Sequence, residues 1–391
     1  MQPRRAVHLS ADVLKAFALG KLDDRLAEAV RNHLDRCGDC RQEVTVLSAS
    51  VAPAAVLSGQ PTTLDNLPPE LAEHPDYEVL HELGRGGMGI VYLSRHRLSG
   101  RMEVLKVMNK ALLGQADSKE RFLREIQSAA RLDHKNVVKM YTALELGELM
   151  VLVMEYVPGE DLAQVIQERG PLPVLNACYY VQQAAAGLQH AFEKGMIHRD
   201  IKPQNLILAR EGKKHVVKIL DFGLAKATRE GSVDAGLTGT GVMVGTPGYV
   251  SPEQILDAAT ADIRADIYSL GCTLYYLLAG APPFSGRSLF EILQAHHKGE
   301  ARPLNLVRPE VPKALALVVW KMMAKKAAQR YQTPMEVVRA LEPFVKGKLK
   351  PLPLEADAPT AGRPDVEKSA KREKTVAAAR DAPLGMAGRE V

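Results

Sequence analysis

The apolar positions change their period along the chain. Between Ala11 and Val46, Val13, Leu14, Phe17 and Ala18, then Leu22, Leu26, Val30 and Leu34, recur every three or four residues, with a break at Gly20. That spacing predicts two short amphipathic helices in a unit spanning 1–47. From Ser48 to Pro69, Ala, Ser, Pro and Thr dominate without a period, which predicts a flexible linker over 48–76. Short β-prone runs follow at Tyr77–Leu80, Ile90–Leu93, Glu103–Met108 and Leu149–Val157, with one segment of helical period, Ser118–Leu132, among them. Beyond residue 158 the helical period takes over, clearest in Tyr179–Lys194 and Ile267–Leu278. A β-rich part (77–157) before a helix-rich part (158–345) predicts an α+β fold. From 346 to 391 Pro, Ala, Lys and Arg prevail with no period, the composition of a disordered tail.

Composition narrows the classes without naming one. With 391 residues, 46% hydrophobic and 25% charged, the chain can bury more than one core. A net charge of +5, interspersed for most of the length, implies no strong polyanion-binding field, so nucleic acid is not an expected partner. No run approaches the ~18 apolar residues of a membrane span, and the start lacks a signal-type apolar core; a cytoplasmic protein is expected. Four cysteines, Cys37, Cys40, Cys178 and Cys272, are too few and too scattered for a disulfide framework. Cys178 and Cys272 lie in apolar helical segments and read as core. Trp320 and the pair His296 and His297 have no ligand-type spacing around them and imply no site.

Two stretches carry chemistry. The first is His33-x3-Cys37-x2-Cys40. One helical turn separates His33 from Cys37, and Gly38 lets the chain curl so that Cys40 faces the same ion. A reduced Cys-x-x-Cys beside an incidental histidine is the alternative; a redox pair is disfavoured because no βαβ pattern surrounds it. The pattern, after a helix carrying Leu22-Asp23-Asp24-Arg25-Leu26, resembles the small zinc-binding domain of bacterial anti-sigma factors. The resemblance implies one structural zinc, an upstream fourth ligand for which His8 stands at the right place, and a sigma factor or another regulator as partner.

The second is spread over the chain. Leu83-Gly84-Arg85-Gly86-Gly87-Met88-Gly89-Ile90-Val91 is Gly-x-Gly-x-x-Gly-x-Val followed by β-type sequence, where the glycines let a hairpin backbone approach phosphates. Lys106 stands alone in an apolar strand and needs an anion; Glu125, beside Phe122 and Ile126, can orient it toward phosphates. The strand ending Glu155-Tyr156-Val157 is a buried run before a turn. His198-Arg199-Asp200-Ile201-Lys202-Pro203-Gln204-Asn205, then Asp221-Phe222-Gly223, place two acids, an amide and a lysine on loops joined by short strands, as needed to hold metal and phosphate beside a hydroxyl.

From Tyr77 to Phe344 these motifs stand in an order and spacing that resemble a bacterial eukaryotic-like protein Ser/Thr kinase, and the two-lobed kinase fold follows as an expectation. The resemblance implies ATP with magnesium or manganese, and serine or threonine hydroxyls of proteins as acceptors. Asp200 would accept or orient the hydroxyl proton, Lys202 neutralise the transferred phosphate, and Asn205 and Asp221 bind the metal. Leu83, Val91 and Ile207 would sandwich adenine, Val104 stand where the family has alanine, and Glu155 and Val157 offer backbone groups. Gly84, Gly86 and Gly89 would cover the phosphates and Asp161 reach the ribose. Thr246 would contact Asp200 and Lys202. Arg199 would await a phosphate on Thr238 or Thr240, Asp266 would cap the catalytic loop from below, and Glu253 would pair with Arg330. A homodimer through the N-terminal lobe is a further implication. Two other classes compete, a nucleotide-binding scaffold without transfer and an anti-sigma-type regulator with a vestigial kinase fold. Neither has need of Lys106, Glu125, Asp200, Asn205 and Asp221 together.

Overall fold

The computed structural model describes residues 9, 13–14, 24–34, 37, 40, 67–86, 89–108, 116–212, 214–222, 247–257, 260–286, 288–347 and 349. The chain divides after Leu352 into two units, and all described residues lie in the first. His8, Thr238, Thr240, Thr246, most of the expected linker and all of the expected tail beyond residue 349 fall outside them.

Near the N-terminus, helix α1 (Asp24–Leu34) contributes Val30 and Leu34 to a small core with Leu14 and Cys40, against which Leu9, Val13 and Cys37 pack. The core is tiny, which is why a unit of this size calls for a staple.

The expected linker ends earlier than residue 76. Helix α2 (Pro69–Ala72) buries Leu71 completely in the core of the following lobe, and Leu67 packs on the same cluster. Removing two leucines from water outweighs keeping this stretch free.

Strands β1 (Tyr77–Gly86), β2 (Gly89–His96), β3 (Met102–Met108), β4 (Met140–Leu146) and β5 (Leu149–Glu155) form an antiparallel sheet in the order β1-β2-β3-β5-β4. Opposed residues on neighbouring strands share a face. Val91 opposes Lys106, Lys106 opposes Leu152, Leu93 opposes Val104, and Val104 opposes Met154. Those six therefore line one side. The alternate positions Tyr92, Leu105, Val107, Val151 and Val153 take the other, where they close a core with Leu71 and Tyr77. Helix α3 (Ala116–Ala129) buries Phe122, Ile126 and Ala129, a stripe at four- and three-residue spacing.

The second lobe begins with β6 (Gly159–Asp161), α4 (Leu162–Arg169) and α5 (Val174–Glu193), then the hairpin β7 (Leu206–Glu211) and β8 (Lys214–Ile219), which joins β6 in a small sheet. After α6 (Pro252–Leu256) comes α7 (Ile263–Ala279), which packs on α5 and is buried at nearly every position. Asp262 caps its start by accepting from the Arg264 N–H, and Gly280 ends it at φ 76, a left-handed turn free of Cβ strain only for glycine. Helices α8 (Leu289–Lys298), α9 (Leu304–Val307), α10 (Lys313–Met322) and α11 (Pro334–Leu341) surround it.

One strap ties the two lobes. Ile219 N–H donates to the Asn136 carbonyl and Val138 N–H to the Ile219 carbonyl, both at 2.9 Å. The Asn136 amide, fully buried, donates to Val217 O at 2.8 Å and Gln183 Oε1 at 3.0 Å. The strand that leads into Asp221 is thus pinned to the first lobe.

Candidate functional site

The loop before β7 is shaped by a buried acid from another element. Asp266, in the first turn of α7, accepts the N–H of His198 and of Arg199, each at 2.7 Å. Burial pushes the Asp266 carboxyl up, against the pull of those two donors. Arg199 sits at φ 67, a conformation costly for a side-chain-bearing residue. The Gln254 amide, donating to the Arg199 carbonyl at 2.8 Å, helps to hold it there.

His198 is held by its neighbours through both ring nitrogens. Its Nε2 lies 2.6 Å from the Leu220 carbonyl, which can only accept, and its Nδ1 receives the Asp200 N–H at 3.2 Å. The ring, edge-on to Phe222 at 4.8 Å, is a strut between the two loops rather than a base.

That strut sets the acid. Asp200 Oδ2 is 2.9 Å from Lys202 Nζ and accepts from Asn205 Nδ2 at 3.1 Å, while the same amide donates to the Asp200 carbonyl at 2.7 Å. With its nitrogen engaged, Asn205 keeps Oδ1 as an acceptor for a cation. Across the hairpin, Asp221 stands at φ 57 and its Oδ2 pairs with Lys106 Nζ at 2.8 Å. Burial pushes the Asp221 carboxyl up, but the Lys106 ammonium, joined by the weaker pulls of His198 and Lys202, outweighs it, and the group rests below the ordinary carboxylate range. Lys106, 4% exposed, thus has the anion that its apolar strand required. Glu125, expected as its orienting partner, is half-buried on α3.

The cleft face is the side of the sheet that bears Val91, Val104, Lys106 and Met154. Of the glycine loop, Gly84 pairs with Val91 and Gly86 with Gly89. At Gly89, φ is 143 and an added Cβ would fall 1.9 Å from the Val107 carbonyl, so no other residue fits. Leu83 is buried, and Ile207 touches Val157 in one cluster, which joins the strand end to the floor of the second lobe. The Glu155 N–H donates to the Lys139 carbonyl.

Asp161 has a structural task besides the ribose contact expected of it. Its Oδ1 accepts from Ala163 and Gln164 N–H at 2.9 Å each, as N-cap of α4. The side chain is buried, and burial pushes its carboxyl up to about 6. Its structural work is to start a helix, because an extended residue before an apolar helical run is the natural cap.

Lys218 escaped sequence reading. From β8 it donates to both carboxylate oxygens of Glu155, at 2.8 and 3.0 Å, and Glu155 Oε2 also receives the Lys139 N–H at 3.1 Å. The end of β5 is therefore bound to the strand that leads into Asp221. The available signal was the one used for Lys106, a lysine inside an apolar strand.

Below the site, Arg330 meets Glu253 in a double contact, Nη1 to Oε1 at 2.6 Å and Nη2 to Oε2 at 2.7 Å, as expected. Its remaining N–H groups donate to the carbonyls of Ala324, Arg264 and Lys325. Ser251 and Gln254 form a capping box on α6.

In the N-terminal unit, one potential ligand atom each from His33, Cys37 and Cys40 lies within 4.8 Å of the others. The His33 Nε2 is buried with no hydrogen-bond partner, and neither cysteine is in a disulfide. A soft, three-donor set with an orphaned imidazole nitrogen fits zinc.

Residues 77–340 match the family model described as protein kinase domain, and residues 12–41 match a zinc-finger family. The chain is 37% identical over 267 residues to serine/threonine-protein kinase pkn2 of Myxococcus xanthus, covering 68% of this chain and 32% of that one. It is 36% identical over 274 residues to serine/threonine-protein kinase PknB of Mycobacterium leprae, covering 69% and 43%. The chain thus spans about a third to two fifths of the length of these curated relatives. The crystal structure of the Mycobacterium tuberculosis PknI kinase domain superposes with a TM-score of 0.54 at 28% identity, over 69% of this chain and 96% of that one.

Proposed function

The chain belongs to the protein kinase family, and on that premise we propose that it transfers the γ-phosphate of ATP to serine or threonine hydroxyls of proteins. The observation that carries the reading is the convergence of Asp200, Lys202 and Asn205 within 3.1 Å contacts, beside the Lys106–Asp221 pair.

In this reading Asp200, held by Lys202 and Asn205, orients the acceptor hydroxyl and takes its proton as the bond to phosphorus forms. Lys202 then has the transferring phosphoryl oxygens as its second anion, and Lys106 the α- and β-phosphates, with Glu125 to orient it. Magnesium or manganese, held by Asn205 and Asp221, would supply positive charge between the phosphates. Leu83, Val91, Val104, Met154 and Ile207 form the apolar slot for adenine, and Glu155 and Val157 its backbone contacts. Gly84, Gly86 and Gly89 cover the phosphates. Asp161 contributes to the ribose side through Oδ2, since Oδ1 is held by the cap. Thr246 selects the hydroxyl class, and Arg199 receives a phosphate placed on Thr238 or Thr240 by autophosphorylation.

Among the described residues no helix is long and apolar enough to cross a membrane. Dependence on ATP argues for the cytoplasm. A sigma factor or other regulator bound by the N-terminal unit, and a homodimer through the first lobe, belong to the same proposal. So do the boundaries 1–47, 77–345 and 346–391.

Phosphoamino-acid analysis after incubation with ATP and a generic protein acceptor tests the class: phosphoserine and phosphothreonine are expected, and phosphotyrosine alone would overturn it. For zinc held by His33, Cys37, Cys40 and His8, one metal per chain is expected by elemental analysis. Cys37→Ser should lose the metal and unfold the N-terminal unit, because a core of so few residues depends on its staple. A metal-free chain of unchanged stability would remove the zinc claim.

A further inference from the structure

Helix α10 is apolar on both sides. Its inner positions Leu315, Val319 and Met322 are buried, and the helix packs on α7. Its outer positions Leu317 and Trp320 are 66% and 65% exposed, and α9, packed against it, adds Leu306 at 62%. A helix facing water should be polar there. Leucine and tryptophan one turn apart are instead the rigid, high-area side chains that anchor interfaces.

The surrounding charge indicates the kind of partner. Between Lys313 and Lys326 the chain has four lysines and no acid. Lys325 is turned inward, 4.2 Å from the Phe284 ring and donating to the His296 carbonyl at 2.7 Å. Lys321 lies 4.3 Å from the Tyr331 ring yet remains exposed. Lys313 and Lys321 therefore bracket the Leu317 and Trp320 ridge, one at each end. The acid that precedes the helix, Glu310, is already paired with Arg308 at 3.3 Å.

We propose that the outer face of α10 docks an amphipathic acidic helix of a partner protein, with apolar residues on Leu317 and Trp320 and carboxylates on Lys313 and Lys321. Two bracketing cations one helical stretch apart match acids flanking an i, i+3, i+7 apolar stripe. An anionic membrane is the weaker fit. Lipid attraction grows by about 1 kcal/mol per basic residue near the surface, and with Lys325 turned inward this face offers few such residues. The proposal is independent of phosphate transfer.

Trp320 is the one tryptophan of the 391 residues, so its emission reports this site alone. The full chain, titrated with a synthetic amphipathic peptide carrying leucines at that spacing and flanking glutamates, should show a saturable blue shift. The same peptide with lysines for glutamates should bind at least about tenfold more weakly. Leu317→Asp should weaken the acidic peptide by roughly tenfold or more without changing thermal unfolding, because the side chain is exposed. The proposal is overturned by absence of a shift up to millimolar acidic peptide, by equal affinity for both peptides, by undiminished binding to Leu317→Asp, or by a shift with phosphatidylglycerol vesicles that neither peptide produces.

Discussion

Lys106→Met is expected to lower phosphate transfer by about two to three orders of magnitude, the usual effect of deleting one preorganised electrostatic group from a reacting centre. Methionine keeps the volume and the apolar stem, so the sheet that holds it, with Val91 and Leu152 opposite, has no reason to change. What is lost is the ammonium 2.8 Å from Asp221. With Lys106 present, the Asp221 carboxyl lies below its ordinary value. A depressed carboxyl adds stability above the ordinary range, and that stability is lost as pH falls through the folded value. Without Lys106, burial meets less opposition and the Asp221 carboxyl moves up in the metal-free protein. The stability that this carboxyl adds should therefore be lost at higher pH in the variant. Transfer rates near neutral pH, and unfolding of the two metal-free proteins against pH, check this; an undiminished rate, or acid destabilisation at the same pH in both, would contradict it.

Arg330→Ala is expected to destabilise the second lobe by about 3 to 5 kcal/mol, the cost of stranding a buried charge partner. The Arg330 side chain is fully buried, and it meets Glu253 and three backbone carbonyls. Alanine would leave all of these acceptors without their donor. Glu253→Gln should cost distinctly less, because Arg330 keeps its carbonyls and the amide oxygen still accepts. By denaturant or thermal unfolding, the arginine variant should melt on the order of 10 °C lower. Equal losses in the two variants would mean that the ion pair, rather than the buried donor set, dominates.

Local pattern explains what could be read in advance. The β-prone runs Glu103–Met108 and Leu149–Glu155 read as strands from composition alone, and Asp200, Lys202 and Asn205 meet because they stand within five positions of one another. What stayed hidden depends on distant pairing. Lys218 and Glu155 are 63 positions apart, and nothing local to either announces the other. Leu67 and Leu71 looked like linker because one helical turn among prolines has too little period to register, yet their burial ties that stretch to the lobe. The capping role of Asp161 was left out of the reading, although its position before an apolar helical run already marked it. Trp320 implied no site because nothing of ligand-type spacing stands around it, and only packing separates the two faces of its apolar helix.

In the proposed function Asp200 serves a transfer of phosphate from ATP to protein. The most direct measurement is incorporation of labelled γ-phosphate by the purified chain and by Asp200→Asn, with magnesium present and folding verified by thermal unfolding. Asparagine preserves the shape of the loop and its contact with Asn205 while removing the proton acceptor. Incorporation that falls by about a hundredfold or more in the variant, with both proteins equally folded, is the predicted result; equal incorporation in the two would contradict it.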